Sequence, residues 1–141
     1  MIILDTTVLL YAVGAEHPLR DPCRRVVDAC GAGRLAGATT VMALQEFTHV
    51  RARRRPRDEA AALARAYAGL LDLLKTEGDE FDLALDLFCQ HPSLGAFDAT
   101  LAAVAIRREA EALISADRAF GDVRGLSWID PASPDLLRIL G

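Results

Sequence analysis

The chain opens MIILDTTVLLYA, and its fifth residue constrains the fold more than any other. Ile2, Ile3 and Leu4 form a continuous apolar run, the mark of a central strand covered on both faces. Asp5 follows at once, a lone carboxylate with no cation nearby in sequence. An unpaired buried carboxylate costs several kcal/mol or takes up a proton. A chain that begins this way either finds Asp5 a distant partner or brings a ligand to it.

The other acids divide by the same criterion. Most of the 20 have an ordinary explanation. Arg24 lies one turn from Asp28, Asp58 and Glu59 sit at a helix start, Asp21 reads as an N-cap with Pro22 behind it, and Asp79, Glu80, Asp82 and Asp86 fall on the solvated side of a helix. Three more resist, as Asp5 does. Glu46 in VMALQEFTHV has Met42, Ala43, His49 and Val50 one turn away. Asp98 in AFDATLAAVA faces forward onto Leu101 and Ala102, and Asp117 ends the apolar stretch ALISA. Each has a structural reading too: Asp98 and Asp117 as N-caps, Glu46 reaching Arg53, Asp5 in a buried hydrogen-bond network.

Short apolar runs alternate with helical stretches. Strands are expected at 2–4, 35–38, 112–115 and 126–129, and helices behind Asp21, behind Thr39 or Thr40 up to Pro56, over 58–76 until Gly78, at 79–90, from Ala96, and behind Ser133-Pro134. The helix at 79–90 gathers Phe81, Leu85 and Phe88 on one face. This alternation predicts a parallel sheet between helices. At 141 residues, without repeats or a low-complexity linker, one domain spanning 1–141 is expected.

In such sheets ligand sites form at the carboxyl ends of the strands. Asp5 and Asp117 end strands there, and Asp98 and Glu46 lie early in helices that can project over the same edge. Clustered carboxylates repel unless a divalent cation joins them, and oxygen-only ligands favour Mg²⁺ or Mn²⁺. The chemistry expected is metal-assisted attack of water on a phosphodiester.

Charge bears on the substrate. The net charge is −4, yet Arg51, Arg53, Arg54, Arg55 and Arg57 crowd into RARRRPR. Arg51, Arg54 and Arg55 are candidates to guide a nucleic-acid backbone past the acids; pairing with an acidic partner peptide or with the acidic helix at 79–86 is the alternative. His17, His49 and His91 are not convincing bases, since metal-bound water needs none. Cys23, Cys30 and Cys89 show no CxxC spacing and read as free thiols in a reducing cytoplasm. No run approaches the ~20 apolar residues of a membrane span, so no membrane partner is expected.

Four segments, DTTVLLYA, LQEFTHV, LGAFDATLAAVA and LISADRAF, together resemble the PIN domain, and more narrowly the VapC-type toxins of bacterial toxin–antitoxin pairs. The resemblance runs from Asp5 to the strand near Trp128. It implies a three-layer α/β/α fold and a metal-dependent endoribonuclease. Asp5, Glu46 and Asp98 match the acids that hold Mg²⁺ or Mn²⁺, and Asp117 the acid placed for a second ion or a water. Thr7 matches a position that helps place Asp5 or a water, and Ser115 the small hydroxyl before the fourth acid. Such proteins are inhibited by a cognate VapB-type antitoxin and dimerise.

Two rivals from other classes are weaker. A phosphoacceptor domain needs a lysine near the last strand, and the only lysine is Lys75. A haloacid-dehalogenase-like phosphatase needs an acid at position 7, which is Thr. A non-catalytic PIN-like interaction domain would not need all four acids.

Overall fold

The computed structural model describes residues 1–141. The elements run β1 (Ile2–Leu4), α1 (Thr6–Val13), α2 (Arg20–Gly31), β2 (Gly37–Thr40), α3 (Val41–Arg51), α4 (Arg57–Leu70), β3 (Asp72–Leu74), α5 (Gly78–Gln90), α6 (Ala96–Arg107), β4 (Ala112–Ile114), β5 (Trp128–Ile129) and α7 (Asp135–Leu140). A short 3₁₀ turn, Arg118–Asp122, follows β4. The five strands are all parallel, in the order β3-β2-β1-β4-β5.

Alternation along the strands divides the core into two layers. Ile2 and Leu4 join Ala112 and Ile114 on one face, packed against Val8 and Leu9 of α1, Val26 of α2, Phe47 of α3, Tyr67 of α4 and Leu136 of α7. Ile3, Ala38 and Leu113 face the other way, onto Ala84 and Leu87 of α5, the buried alanines of α6 and Phe120. The result is the expected three-layer α/β/α arrangement, buried on both sheet faces. β2 makes room for its neighbours through Gly37. A Cβ there would stand 2.4 Å from Cys30 Sγ and 2.8 Å from Leu71 Cδ2.

Several boundaries differ from expectation for physical reasons. α4 stops at Leu70 rather than running to Thr76, and the next residues form β3, whose first two residues are exposed and so leave no apolar signature. Gly78 opens α5 instead of ending a helix; Glu77 and Glu80 form a capping box there. α2 starts at Arg20, with Asp21 inside its first turn rather than capping it. Pro22 is tolerated because first-turn N–H groups lack partners in any helix. Arg24 does not pair with Asp28; its Nε donates to the Ala12 carbonyl at 2.8 Å and so covers the end of α1. α3 ends at Arg51, and Pro56 caps α4 instead of terminating α3. β2 begins at Gly37, two residues later than expected, and Thr40 caps α3 as foreseen. Pro134, not Ser133, occupies the cap of α7, and Ser133 Oγ finds no partner.

Glu80 is the largest departure. Its expected place was the wet side of a helix; it is 3% exposed and accepts from Arg108 Nε at 2.8 Å and Nη2 at 3.1 Å. Conversely, Phe81, Leu85 and Phe88, the apolar face of α5, are exposed, and so is Phe97 at 66%. No helix is long and apolar enough to cross a membrane.

Candidate active site

The chain leaves β1 toward β2 and β3 on one side, and returns to β4 and β5 on the other. The carboxyl ends of β1 and β4 therefore lie side by side, with Leu4 opposite Ile114. This is the switch point where open α/β sheets hold ligands. Asp5 leaves β1 and Ser115 leaves β4 at that edge.

Asp5 is 4% exposed and caps α1. Its partners are hydroxyls rather than cations. Thr7 Oγ1 donates to Oδ2 at 2.9 Å and Ser115 Oγ to the same atom at 2.7 Å, with the Thr7 N–H at 3.4 Å. All of these fall on Oδ2, which leaves Oδ1 to a ligand. Each hydroxyl also accepts from the turn after β4: Ala116 N donates to Thr7 Oγ1 and Asp117 N to Ser115 Oγ, both at 3.0 Å. Two short side chains thus clamp the ends of β1 and β4 together and fix the Asp5 carboxylate. Thr7 Oγ1 bonds the Asp5 carboxylate directly.

Asp117 accepts from Ala119 N at 2.9 Å and caps the 3₁₀ turn. Its structural reading is therefore real, and it coexists with a place in the acid cluster. Asp98 is no cap: Gly95 holds that position and Asp98 lies within the first turn of α6. Burial, reinforced by the charges of Asp5, Asp117 and Glu46 and by a proton shared with the Asp117 carboxyl, pushes Asp98 up to about 7 from its ordinary 3.8. Asp5, Asp117 and Glu46 lie near enough for their charges to act on Asp98. None of them belongs to any of the ion pairs of the molecule.

Glu46 is exposed at the rim and does not reach Arg53, which instead meets His49 at 3.1 Å. It is held by Thr6, whose Oγ1 contacts the Ala43 carbonyl at 3.1 Å and Glu46 Oε2 at 3.3 Å. Thr6 carries no local signal of this role, because its partners lie 37 and 40 residues away. Its adjacency to Asp5 was the one available signal.

No three acidic side chains form a closed ligand set around a single point. The residues nonetheless fit a hydrated divalent ion. Mg²⁺ keeps several waters and takes only one or two carboxylates directly. The donor set is all oxygen, Asp5 Oδ1 is free, and Asp98 records surplus negative charge that a cation would relieve.

The arginines divide. Arg51 is largely covered, and its Nη2 pairs with Glu59 at 3.3 Å. Arg54 and Arg55 are exposed and join no ion pair. The lysine that a phosphoacceptor would require, Lys75, follows β3, two strands from β1.

A parallel sheet carrying acids at its switch point defines a class, and comparison with known proteins agrees. Residues 2–126 match the family model of the PIN domain, and the chain belongs to that family. Within it, the chain is 47% identical to Ribonuclease VapC7 of Mycobacterium tuberculosis (strain ATCC 25618 / H37Rv), over 100% of this chain and 99% of that protein. It is 35% identical to Ribonuclease VapC23 of the same organism, over 70% of this chain and 78% of the other. These likenesses place it among the VapC-type members. Among solved structures, VapBC2 from Rickettsia felis, bound to a DNA fragment from their promoter, superposes with a TM-score of 0.75 at 18% identity, covering 92% of this chain and 98% of that one. VapC20 of Mycobacterium tuberculosis, a Sarcin-Ricin loop cleaving toxin, gives 0.72 at 18% identity, covering 86% and 93%. At these identities the two structures speak for the fold.

Proposed function

We infer that this chain is a PIN-domain endoribonuclease, the toxin of a VapBC-type toxin–antitoxin pair. What supports the chemistry is Asp5, held through Oδ2 by Thr7 and Ser115 at the β1–β4 switch point, together with the upward push that burial and the charges of Asp5, Asp117 and Glu46 give Asp98. The full-length likeness to a named VapC ribonuclease carries the class.

Asp5, Glu46 and Asp98 would hold a Mg²⁺ or Mn²⁺ ion, with Asp117 helping to place a second ion or the attacking water. When bound, the ion supplies water of lowered pKa and stabilises charge developing on the phosphate. The chain's own work is positioning. Thr7 and Ser115 fix Asp5 by engaging Oδ2 only. Thr6 steadies Glu46 at the open rim, where a long RNA strand can reach it. An acid cluster repels the polyanion it must cut, so a positive flank is needed. Arg54 and Arg55 supply it, while Arg51 contributes from behind its bond to Glu59.

The reading includes two protein partners and a compartment. A VapB-type antitoxin inhibits the chain in the cytoplasm. The chain forms a homodimer, to which the exposed side chains of Phe81, Leu85, Phe88 and Phe97 contribute an apolar face.

The test is cleavage of a structured RNA pool by the purified chain with Mg²⁺, with Mn²⁺ and with EDTA, alongside Asp5→Asn. Metal-dependent cleavage that disappears in the variant is the expected result. Cleavage in EDTA, or at the wild-type rate in Asp5→Asn, would overturn the assignment.

A further inference from the structure

A cavity of about 610 Å³ opens beside the acids, between the end of α1, the loop that follows it and the end of α3. It meets the carboxylate site at Thr7, whose hydroxyl is bonded to Asp5. Its lining has a chemistry that the acid cluster lacks. Arg51, Arg53, Arg54 and Arg55 contribute to it against a single carboxylate, Glu16. Tyr11 and His17 contribute two rings, with centroids 4.6 Å apart and planes tilted by 31°. His17 is exposed, and its ring is fixed from behind because Leu19 N donates to Nδ1 at 3.1 Å. A neutral His17 therefore carries its proton on Nε2.

Resting on the ribonuclease reading above, we propose that this cleft is a subsite for an unpaired nucleotide of the RNA strand beside the bond that is cut. Its base stacks on the Tyr11–His17 pair, and its flanking phosphates meet Arg54 and Arg55. Bases stacked on aromatic side chains with a basic groove along the backbone are how proteins hold single-stranded nucleic acid. The volume falls in the ~300–1,000 Å³ range of small-ligand sites, enough for a nucleotide. An acidic peptide would satisfy the arginines but leave the ring surface unused. A nucleotide engages both, and the cleft begins where the strand must already pass. A base locked inside a duplex cannot reach the rings, so the subsite selects loops and single strands.

Binding is measured apart from catalysis, by fluorescence anisotropy on the Asp5→Asn chain without added metal. The probes are a labelled eight-nucleotide RNA, an abasic ribose-phosphate strand of equal length and a hexaglutamate peptide. Tyr11→Ala and His17→Ala should weaken binding of the RNA by about 5- to 100-fold and leave the abasic strand unchanged. Tyr11→Phe should bind as the parent does, because the ring is retained. Arg54→Ala and Arg55→Ala should weaken both strands alike and flatten the dependence on salt. Aromatic variants that affect both strands equally, or neither, would overturn the stacking subsite. Arginine-dependent capture of hexaglutamate with no arginine effect on RNA would overturn it in favour of a protein partner. Metal-dependent cleavage by the unmodified chain survives each of these outcomes, so the subsite can fail while the ribonuclease reading stands.

Discussion

Glu80 is buried and Asp98 is half-buried, and the fold treats these two acids in opposite ways. Glu80, on α5, is met by the Arg108 guanidinium at 2.8 and 3.1 Å, and that bond holds its carboxyl below the ordinary range. Asp98, on α6, joins no ion pair, and burial, reinforced by the charges of Asp5, Asp117 and Glu46, pushes it up to about 7. One helix interface thus contains a neutralised carboxylate, and the sheet edge beyond it contains a charge left open. In the proposed function, the charge left open at Asp98 is the one that the ion meets.

Substitution should separate the two most sharply. Asp98→Asn removes a ligand of the proposed ion and should lower RNA cleavage by about 10²–10³-fold, in line with losses of single electrostatic groups in active sites. The same change removes a repelled charge, so the metal-free variant should melt no lower than the wild type. A clear fall in its melting temperature would make Asp98 a structural acid and break the comparison.

Glu80→Gln should do the reverse. It leaves Arg108 without its counter-charge at a partly covered position and should cost about 2 kcal/mol in urea denaturation. Cleavage per folded molecule should stay unchanged, since Glu80 lies outside the acid cluster.

The two acids should also pull the pH dependence of stability in opposite directions. Asp98 binds its proton more tightly in the folded state. Its contribution is most favourable below 3.8 and is lost as pH rises toward about 7. Glu80 binds its proton less tightly when folded, so its contribution is present above 4.5 and is lost as pH falls through the lowered folded value. For the metal-free chain, Asp98→Asn should remove a decline in melting temperature between about pH 4 and 7. Glu80→Gln should remove a decline on the acid side. Profiles that match the wild type in both variants would show that neither carboxyl is perturbed in the folded chain.

The smallest effect belongs to a pair beside Glu80. Arg107 and Asp79 lie 2.9 Å apart, with their side chains 50% and 59% exposed. Exposed pairs are worth little, so Arg107→Ala should change stability by under ~1 kcal/mol by the same urea assay. A larger loss would mean that the surface of α5 and α6 is more strongly coupled than its exposure implies.

The same contrast explains what was legible. Asp5, Glu46 and Asp98 stand out because none has a cation within one turn in sequence, where surface acids find partners, and Asp117 because it ends an apolar strand. Glu80 reads as solvated from its place among Asp79, Asp82 and Asp86, because the arginine that covers it, Arg108, lies 28 residues away. Thr6 carries no local signal for the same reason. β3 was missed because a three-residue edge strand with mostly exposed side chains carries no periodic signal. Phe81, Leu85 and Phe88 were rightly placed on one face, but nothing local says whether that face is covered.

By itself, the sequence determined the alternation of strands and helices, the burial of Ile2 to Leu4, and the identity of the acids without partners. These follow from chain-local physics: hydrophobic period, capping and charge within one helical turn. Only the tertiary structure decided that β1 lies between β2 and β4, that Thr7 and Ser115 converge on one oxygen of Asp5, and which buried acid receives an arginine. Those outcomes depend on contacts between residues far apart in the chain, where a hydrogen bond at 2.7 Å carries no signature in the residues that make it.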